Sequence, residues 1–237
     1  MVEYSSLELV KEKNGKKEGV NVKVSEVFPS LQGEGPKAGR QTIFVRLSGC
    51  NMKPLCVWCD TKYAEEGYKM SIPEIRDKVI KAGIARTKDI TFTGGEPLIQ
   101  TDAIMELMGE FPSTYHINIE TNGTIYRKLQ RNPTVIISPK LSNAKVNLHY
   151  DKRWATDIAL SDIWFKFVVS NEVDVMEAMD FADENTILHN RIFIMPQCTT
   201  QLEHMELWPR VFEWALKYNV HASPRLQTLA FGNKRGI

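Results

Sequence analysis

Short apolar segments that predict strands alternate with amphipathic segments that predict helices along most of this 237-residue chain. Strands are predicted at 42–48, 89–93, 116–121, 134–138, 164–169 and 191–195, and helices at 72–84, 97–111, 173–183 and 209–219. Pro209 suits a first helical position, where its missing N–H has no partner to lose. Repeated βα units form a parallel sheet covered by helices. We therefore expect an α/β fold two strands short of a complete eight-stranded barrel. No convincing helix is expected within 139–163.

Two of the predicted strands carry charge on one face. A parallel strand covered on both sides is normally apolar on both faces. In the third strand Ile117 and Ile119 alternate with Asn118 and Glu120, and Arg46 interrupts the first strand in the same way. Charges on the concave side of a sheet are costly unless they meet partners or a ligand. An edge strand with one wet face remains an alternative, but the pattern favours a polar lumen.

Three of the four cysteines lie within ten residues, at Cys50, Cys56 and Cys59, directly after the first predicted strand. Three thiolates can hold an iron–sulfur cluster and leave one iron open. A structural zinc site needs a fourth ligand, which Cys198 or His116 could supply. Ligand count favours the cluster over zinc, and a disulfide is disfavoured because it leaves one thiol over.

The composition of the chain limits the class of protein and the compartment that we expect. Charged residues make up 25% of the chain, apolar residues 43%, and the net charge is +1. We therefore expect one globular domain over 1–237, with no global field for nucleic acid. No apolar stretch reaches membrane-spanning length, and residues 1–19 show no secretory signal pattern. Residues 11–18 predict a solvated loop. The clustered cysteines favour a reducing compartment, hence the cytoplasm.

The order of three motifs resembles the radical S-adenosylmethionine (SAM) superfamily. The cysteine loop follows strand one and has Trp58 just before its last cysteine, and a Gly94-Gly95-Glu96 turn follows strand two. A Glu-Thr-Asn-Gly turn follows strand three. The cysteine spacing, C-x5-C-x2-C, is two residues longer than the usual C-x3-C-x2-C. The resemblance implies a [4Fe–4S] cluster whose open iron binds SAM, and an incomplete (β/α)6 TIM-like barrel of the radical SAM type.

Further segments resemble the 7-carboxy-7-deazaguanine synthase family: a Leu-Gln-Gly-Glu-Gly run from residue 31 within an N-terminal segment at about 22–41, Cys-Asp-Thr closing a cluster loop at 50–61, and Ser-Pro-Lys at 138–140. The resemblance implies ring contraction of 6-carboxy-5,6,7,8-tetrahydropterin to 7-carboxy-7-deazaguanine, with loss of ammonia and help from Mg²⁺. It also implies a homodimer and an electron donor such as flavodoxin or ferredoxin, and neither nucleic acid nor a membrane as partner.

The resemblance assigns roles to individual residues. Cys50, Cys56 and Cys59 hold the cluster, and Thr61 binds Mg²⁺, unless it is a helix N-cap. SAM is bound by Trp58, Gly94, Gly95, Glu96, Ser138, Lys140 and Gln197. The substrate is bound by Leu31, Gln32, Gly33, Glu34, Arg46 and Thr93. Arg46 suits the substrate carboxylate because its guanidinium fork matches two oxygens. His221 and Arg225 line either the site or a dimer contact, and Cys198 is expected to be a small core residue.

Two alternative functions are weighed. A glycyl-radical-enzyme activase would share the cluster but need a protein-binding surface in place of a pterin pocket. A zinc-stabilised nucleic-acid-binding domain would show basic clustering with exposed aromatic residues. The Gln32–Gly35 segment and Arg46 disfavour the first, and the near-zero net charge disfavours the second.

Overall fold

The computed structural model describes residues 21–61, 65–147, 150–156 and 162–237. The loop predicted at 11–18 lies outside this part of the chain. Within it, nine strands form one sheet in the order β3-β1-β2-β4-β5-β6-β7-β8-β9. Their bounds are β1 Asn21–Leu31, β2 Gln41–Leu47, β3 Tyr68–Ser71, β4 Asp89–Gly94, β5 His116–Thr121, β6 Thr134–Ile137, β7 Ile163–Val169, β8 Ile192–Pro196 and β9 His221–Ala222.

The parallel part of the sheet confirms the predicted fold class. Seven strands, β2 and β4 to β9, run parallel to one another, and the first six of them are the six predicted strands. The sheet runs from one edge strand, β3, to another, β9, so the barrel is incomplete. The chain is thus an α/β protein with a partial TIM-like barrel, in which all the carboxyl ends of the parallel strands lie at one rim.

The helices cover the outside of this sheet. They are α1 Ile72–Lys81, α2 Ile84–Thr87, α3 Thr101–Gly109, α4 Arg153–Thr156, α5 Glu172–Glu184, α6 Gln201–Tyr218 and α7 Leu226–Phe231. The predicted helix 72–84 is divided, because Gly83 at φ +97° separates α1 from α2. The predicted helix 97–111 begins as a 3₁₀ turn, Pro97–Gln100, and continues as α3.

The prediction for Pro209 is wrong. Helix α6 begins eight residues earlier, where Thr200 and Glu203 form a capping box that satisfies its first N–H groups. Pro209 lies inside the helix at an exposed position. The capping residues therefore set the start of α6.

The N-terminal segment was expected only to precede the first strand, but most of it is itself a strand. β1 pairs antiparallel with β2 and carries β3 on its other side. Val22 and Val24 point into the core, where they are almost fully buried. A tight connection from Gln32 to Arg40 then returns the chain into β2.

The core lies between the sheet and the helices. Ile117 and Ile119 of β5 are buried in it, as the alternating pattern predicts. The crossover from β6 to β7, expected to be loop, contains a 3₁₀ turn at Ser142–Ala144 and the single turn α4, whose Trp154 is buried. In the part of the chain that the structure describes, no helix is long and apolar enough to cross a membrane.

Candidate active site

A cavity of about 470 Å³ opens at the carboxyl ends of the parallel strands. Every predicted site residue except Glu96 lines it: Leu31, Gln32, Gly33, Glu34, Arg46, Cys50, Cys56, Trp58, Cys59, Thr61, Thr93, Gly94, Gly95, Ser138, Lys140 and Gln197. Residues spread over two thirds of the sequence are thus brought to one place. The volume is in the range of small-molecule sites.

The three clustered cysteines form one wall of this cavity as free thiols. Burial raises the pKa of Cys56 and Cys59, and the Lys140 ammonium partly opposes this shift. Metal binding therefore has to displace the thiol protons. Across the described residues, no three His, Cys, Asp or Glu side chains converge to hold a single metal ion. A cubane cluster, in contrast, takes each cysteine on a different iron.

Side-chain hydrogen bonds hold the long cysteine loop at both ends. Asn51 accepts from the Asn122 amide at 2.9 Å and donates to the Thr124 hydroxyl at 2.6 Å. The Trp58 indole N–H donates to Asn143 at 3.1 Å. The loop that contains the longer C-x5-C span is thus tied to the segments that follow β5 and β6.

Gly94 and Gly95 are required by close approach of the chain to itself. A Cβ on Gly94 would lie 2.0 Å from the Leu47 carbonyl oxygen, and one on Gly95 would lie 2.1 Å from that of Gly49. The two glycines let the end of β4 pack directly against the start of the cysteine loop. This contact fixes the first cysteine relative to the cavity.

Glu96 lies behind this turn and does not face the cavity. Its carboxylate accepts hydrogen bonds from the backbone N–H of Leu98 and Asn122 and from the Thr121 hydroxyl, all at 2.7 to 2.9 Å. Burial raises its pKa, and these hydrogen bonds oppose the shift. The structure thus gives Glu96 a bracing role between two strand ends, and the predicted contact with the SAM ammonium stays a prediction.

Ser138 and Lys140, at the end of β6, face the cysteines. The Lys140 ammonium donates to the Ser138 hydroxyl at 3.0 Å and lies over the Trp58 ring, 5.2 Å from its centroid. Burial lowers the pKa of Lys140, and the nearby Cys56 thiol partly offsets this. A partly desolvated cation at this position suits a carboxylate of a bound ligand.

Gln32, Thr93 and Glu120 form a hydrogen-bonded group that lines the cavity. The Gln32 amide donates to one Glu120 oxygen at 2.8 Å, and the Thr93 hydroxyl donates to the other at 2.9 Å. Glu120 was expected in the lumen from its strand pattern but not counted among the site residues. The Gln32 side chain is therefore fixed in the cavity wall.

Glu34 is the centre of a buried charge network. Its oxygens accept from Lys166 at 2.5 Å, Arg225 at 2.9 Å and the Gln227 amide at 2.7 Å. Burial alone would raise the pKa of Glu34, but the two cations hold it well below its usual range. Arg225 also donates to Asp60, next to Cys59. One network therefore joins the N-terminal segment to the cysteine loop.

An aromatic pair borders the same cavity near Arg46. The Phe28 and Phe44 rings stack at 5.3 Å, and the Arg46 guanidinium lies 5.3 Å from the Phe28 centroid. Arg46 also lies 3.8 Å from Glu26. The arrangement offers a flat apolar surface with a cation at one edge, which suits a planar heterocycle carrying an acid group.

Several site residues were missed in the sequence. Lys166 stands alone in the otherwise apolar strand β7, and this interruption was an available signal. Of the two ambiguous residues, Arg225 lines the cavity, whereas His221 packs against Phe193 of β8, outside the lining. Cys198 is buried, as expected, and also borders the cavity.

Comparison with known proteins identifies the architecture. Residues 44–154 match the family model described as the radical SAM superfamily. A 7-carboxy-7-deazaguanine synthase of Pyrobaculum aerophilum is 37% identical over 91% of this chain and 97% of its own length. One from Hyperthermus butylicus is 33% identical over 88% and 92%.

This chain belongs to the 7-carboxy-7-deazaguanine synthase family. Solved structures agree on the fold: QueE from Escherichia coli matches with a TM-score of 0.64 at 23% identity, covering 87% of this chain and 94% of that one. Streptococcus suis SuiB bound to S-adenosylmethionine matches with a TM-score of 0.54 at 15% identity, covering 76% and 49%. Membership makes the chain a radical SAM enzyme of the lyase type, and implies a [4Fe–4S] cluster and SAM. The two alternative functions, an activase and a zinc-stabilised nucleic-acid-binding domain, are set aside.

Proposed function

We propose that this enzyme converts 6-carboxy-5,6,7,8-tetrahydropterin to 7-carboxy-7-deazaguanine with loss of ammonia, assisted by Mg²⁺. The observation that carries the proposal is one cavity that joins three free thiols to an aromatic surface edged by Arg46. The thiols serve a redox cofactor, and the aromatic surface beside Arg46 suits a planar carboxylated heterocycle. A single domain, 1–237, supplies both walls.

The cofactor side is formed by the cysteine loop and the ends of β4, β6 and β8. Cys50, Cys56 and Cys59 are free, lie on one wall and provide the thiolate ligands that an iron–sulfur cluster needs. The cysteines would hold the cluster, which together with SAM would supply the chemistry for hydrogen-atom abstraction from the substrate. Lys140 and Ser138 would hold the SAM carboxylate and ribose. Trp58, Gly94, Gly95, Glu96 and Gln197 complete the proposed SAM site.

The substrate side is formed by the N-terminal segment and the ends of β2 and β4. Arg46 would hold the substrate carboxylate with two parallel hydrogen bonds. Gln32, fixed by Glu120, presents an amide to the donors and acceptors of the pterin edge. Leu31, Gly33, Glu34 and Thr93 are the remaining proposed contacts. Because three donors already engage Glu34, its main effect is to hold this wall in place.

Thr61 is the proposed Mg²⁺ ligand. Its hydroxyl lines the cavity and donates to Asp60 at 2.7 Å, so its lone pairs are the part left for a ligand. Mg²⁺ keeps several waters and often takes only one or two protein oxygens. One hydroxyl together with a substrate carboxylate matches this coordination preference of Mg²⁺. The alternative N-cap role involves residues 62–64, which lie outside the described part of the chain.

The expected partners follow from the chemistry. We propose a one-electron donor such as flavodoxin or ferredoxin, since the radical chemistry would have to be started by a one-electron reduction. The free thiols suit a reducing compartment, which we take to be the cytoplasm. A homodimer is proposed from the family resemblance, and neither nucleic acid nor a membrane is needed.

The test is product formation by protein reconstituted with iron and sulfide under anaerobic conditions. SAM, dithionite, Mg²⁺ and 6-carboxytetrahydropterin are supplied, and 7-carboxy-7-deazaguanine is sought by mass spectrometry. Its appearance supports the proposal. Cleavage of SAM without this product would retain the radical chemistry but overturn the substrate.

A further inference from the structure

Arg225 connects three walls of the cavity although it is far from them in sequence. It lies between β9 and α7 and is 7% exposed. Its guanidinium donates to Glu34 in the N-terminal segment at 2.9 Å, to Asp60 in the cysteine loop, and to the Cys198 carbonyl oxygen after β8. A side chain that makes three such contacts fixes the relative position of all three segments.

The contact between Arg225 and Asp60 affects the hydroxyl of Thr61, the next residue in the chain. The Thr61 hydroxyl donates its single proton to the other Asp60 oxygen at 2.7 Å. A hydroxyl with its proton committed in this way can only accept at its remaining sites. As long as Asp60 is held by Arg225, Thr61 therefore presents lone pairs to the cavity, and lone pairs are what a cation binds.

We propose that Arg225 is a positioning residue for the divalent-cation site, acting through Asp60 on Thr61. This inference rests on the proposed role of Thr61 as an Mg²⁺ ligand and extends it to the residues behind it. Partners in the outer shell of a metal site orient the ligand, and their loss typically costs about 10- to 100-fold in metal affinity. Asp60 has side-chain exposure of 35%, so without Arg225 it is free to turn toward the solvent.

The arginine fork matters as well as its charge. Nε contacts Glu34 while a terminal nitrogen contacts Asp60, so one planar group spans two carboxylates. A lysine ammonium is a point charge on a flexible stem and does not reproduce this geometry. The proposal therefore predicts that Arg225→Lys weakens the cation site even though it conserves the charge.

The experiment measures Mn²⁺ binding by its EPR signal in reconstituted protein with SAM and 6-carboxytetrahydropterin, without reductant, so that no turnover occurs. Arg225→Lys should weaken Mn²⁺ binding by about 10- to 100-fold, while iron content and SAM affinity stay at the parent values. Lys166→Gln is the matched control, because it removes the other cation on Glu34 and leaves the contact between Arg225 and Asp60 intact. It should change Mn²⁺ affinity far less.

A double-mutant cycle tests whether Arg225 acts through Thr61. In a Thr61→Val background, Arg225→Lys should weaken Mn²⁺ binding no further, because the ligand it positions is absent. An Arg225→Lys protein that binds Mn²⁺ as the parent does, or full additivity with Thr61→Val, would overturn the inference and leave the cation site standing.

Two further results are decisive. If Arg225→Lys loses cluster and SAM binding through misfolding, the near-isosteric Asp60→Asn decides the question. Weakened Mn²⁺ binding in Asp60→Asn supports the proposal, and parent-like binding contradicts it. A parent protein that binds no Mn²⁺ in the presence of substrate overturns the proposed cation site itself, and this inference with it.

Discussion

The two ends of the barrel lumen use the same strands for different purposes. At the amino ends, Thr42, Asp89, Thr91 and Asn118 are buried and bond to one another: Thr42 to Thr91 at 2.9 Å and Asn118 to Asp89 at 2.8 Å. At the carboxyl ends, side chains of the same strands border a cavity. The lower cluster, defined as these four residues, is closed, whereas the upper end is open to a ligand.

The lower cluster and the upper end differ in the surroundings of their polar side chains. In the lower cluster the hydrogen bonds run between protein atoms within the lumen, although the buried Asn118 Oδ1 has no partner among the described residues, and Arg40 adds an ion pair to Asp89 at 2.6 Å. At the upper end Gln32, Thr93 and Glu120 also bond to one another, but they do so on the surface of an open space. Polarity in a lumen therefore marks a functional site only where it faces a cavity.

The largest expected effect is the loss of activity when a cysteine of the cysteine loop is replaced. Cys59→Ala should abolish formation of 7-carboxy-7-deazaguanine and reduce the iron content, because one of three cluster ligands is lost. Cys198→Ala is the matched control, since Cys198 borders the same cavity but lies outside the motif. It should retain cluster absorbance and most turnover. Equal loss in both variants would contradict the assignment of the three ligands.

Two arginines at opposite ends of β2 give the next test. Arg46→Ala should raise the KM for 6-carboxytetrahydropterin by roughly 30-fold, because hydrogen bonds between charged groups contribute about 2 kcal/mol. The affinity for SAM should stay unchanged. Arg40→Ala, at the other end of the same strand, should lower stability and leave the KM unchanged. Steady-state kinetics and urea unfolding measure both, and an unchanged KM in Arg46→Ala would remove it from the substrate site.

Asn118 and Glu120, neighbouring lumen positions on β5, are expected to differ in the effect of substitution. Asn118→Ala removes hydrogen bonds to Asp89 and to the Ile90 carbonyl oxygen, so the free energy of unfolding should fall by about 2 kcal/mol. Its kcat/KM should stay near that of the parent. Glu120→Gln, two residues further along, should instead reduce kcat/KM by about tenfold with a smaller loss of stability, since one hydrogen-bond acceptor on the cavity wall is lost. The opposite pattern would invalidate the division of the lumen.

The two ends also differ in how well the sequence predicts them. Six of the seven parallel strands follow from apolar segments and turns, and the polar face of β5 follows from strict alternation, because both signals are local. Motifs identify most of the cavity lining. The Glu34–Lys166–Arg225 contacts join positions 132 and 191 residues apart in the chain, and no local pattern encodes such distances. The prediction that α6 starts at Pro209 is wrong because the Thr200–Glu203 capping box, another local signal, sets its start.

The smallest predicted effect is a change in stability at acidic pH. It arises at the upper end, because the charge network of Glu34 lies there. The pKa of Glu34 is held below its usual range by Lys166 and Arg225, against the opposing effect of burial. A carboxyl whose pKa is lower in the folded state contributes stability above its unfolded pKa of about 4.5, and this contribution is lost as the pH falls toward the folded value. Glu34→Gln should therefore be less stable than the parent at pH 7, and the gap should narrow between about pH 4.5 and 3. Urea unfolding at a series of pH values measures it. A gap that stays constant over this range would mean that the ion pairs of Glu34 contribute little to the folded state, and that the upper end, like the lower, is held mainly by neutral hydrogen bonds and packing.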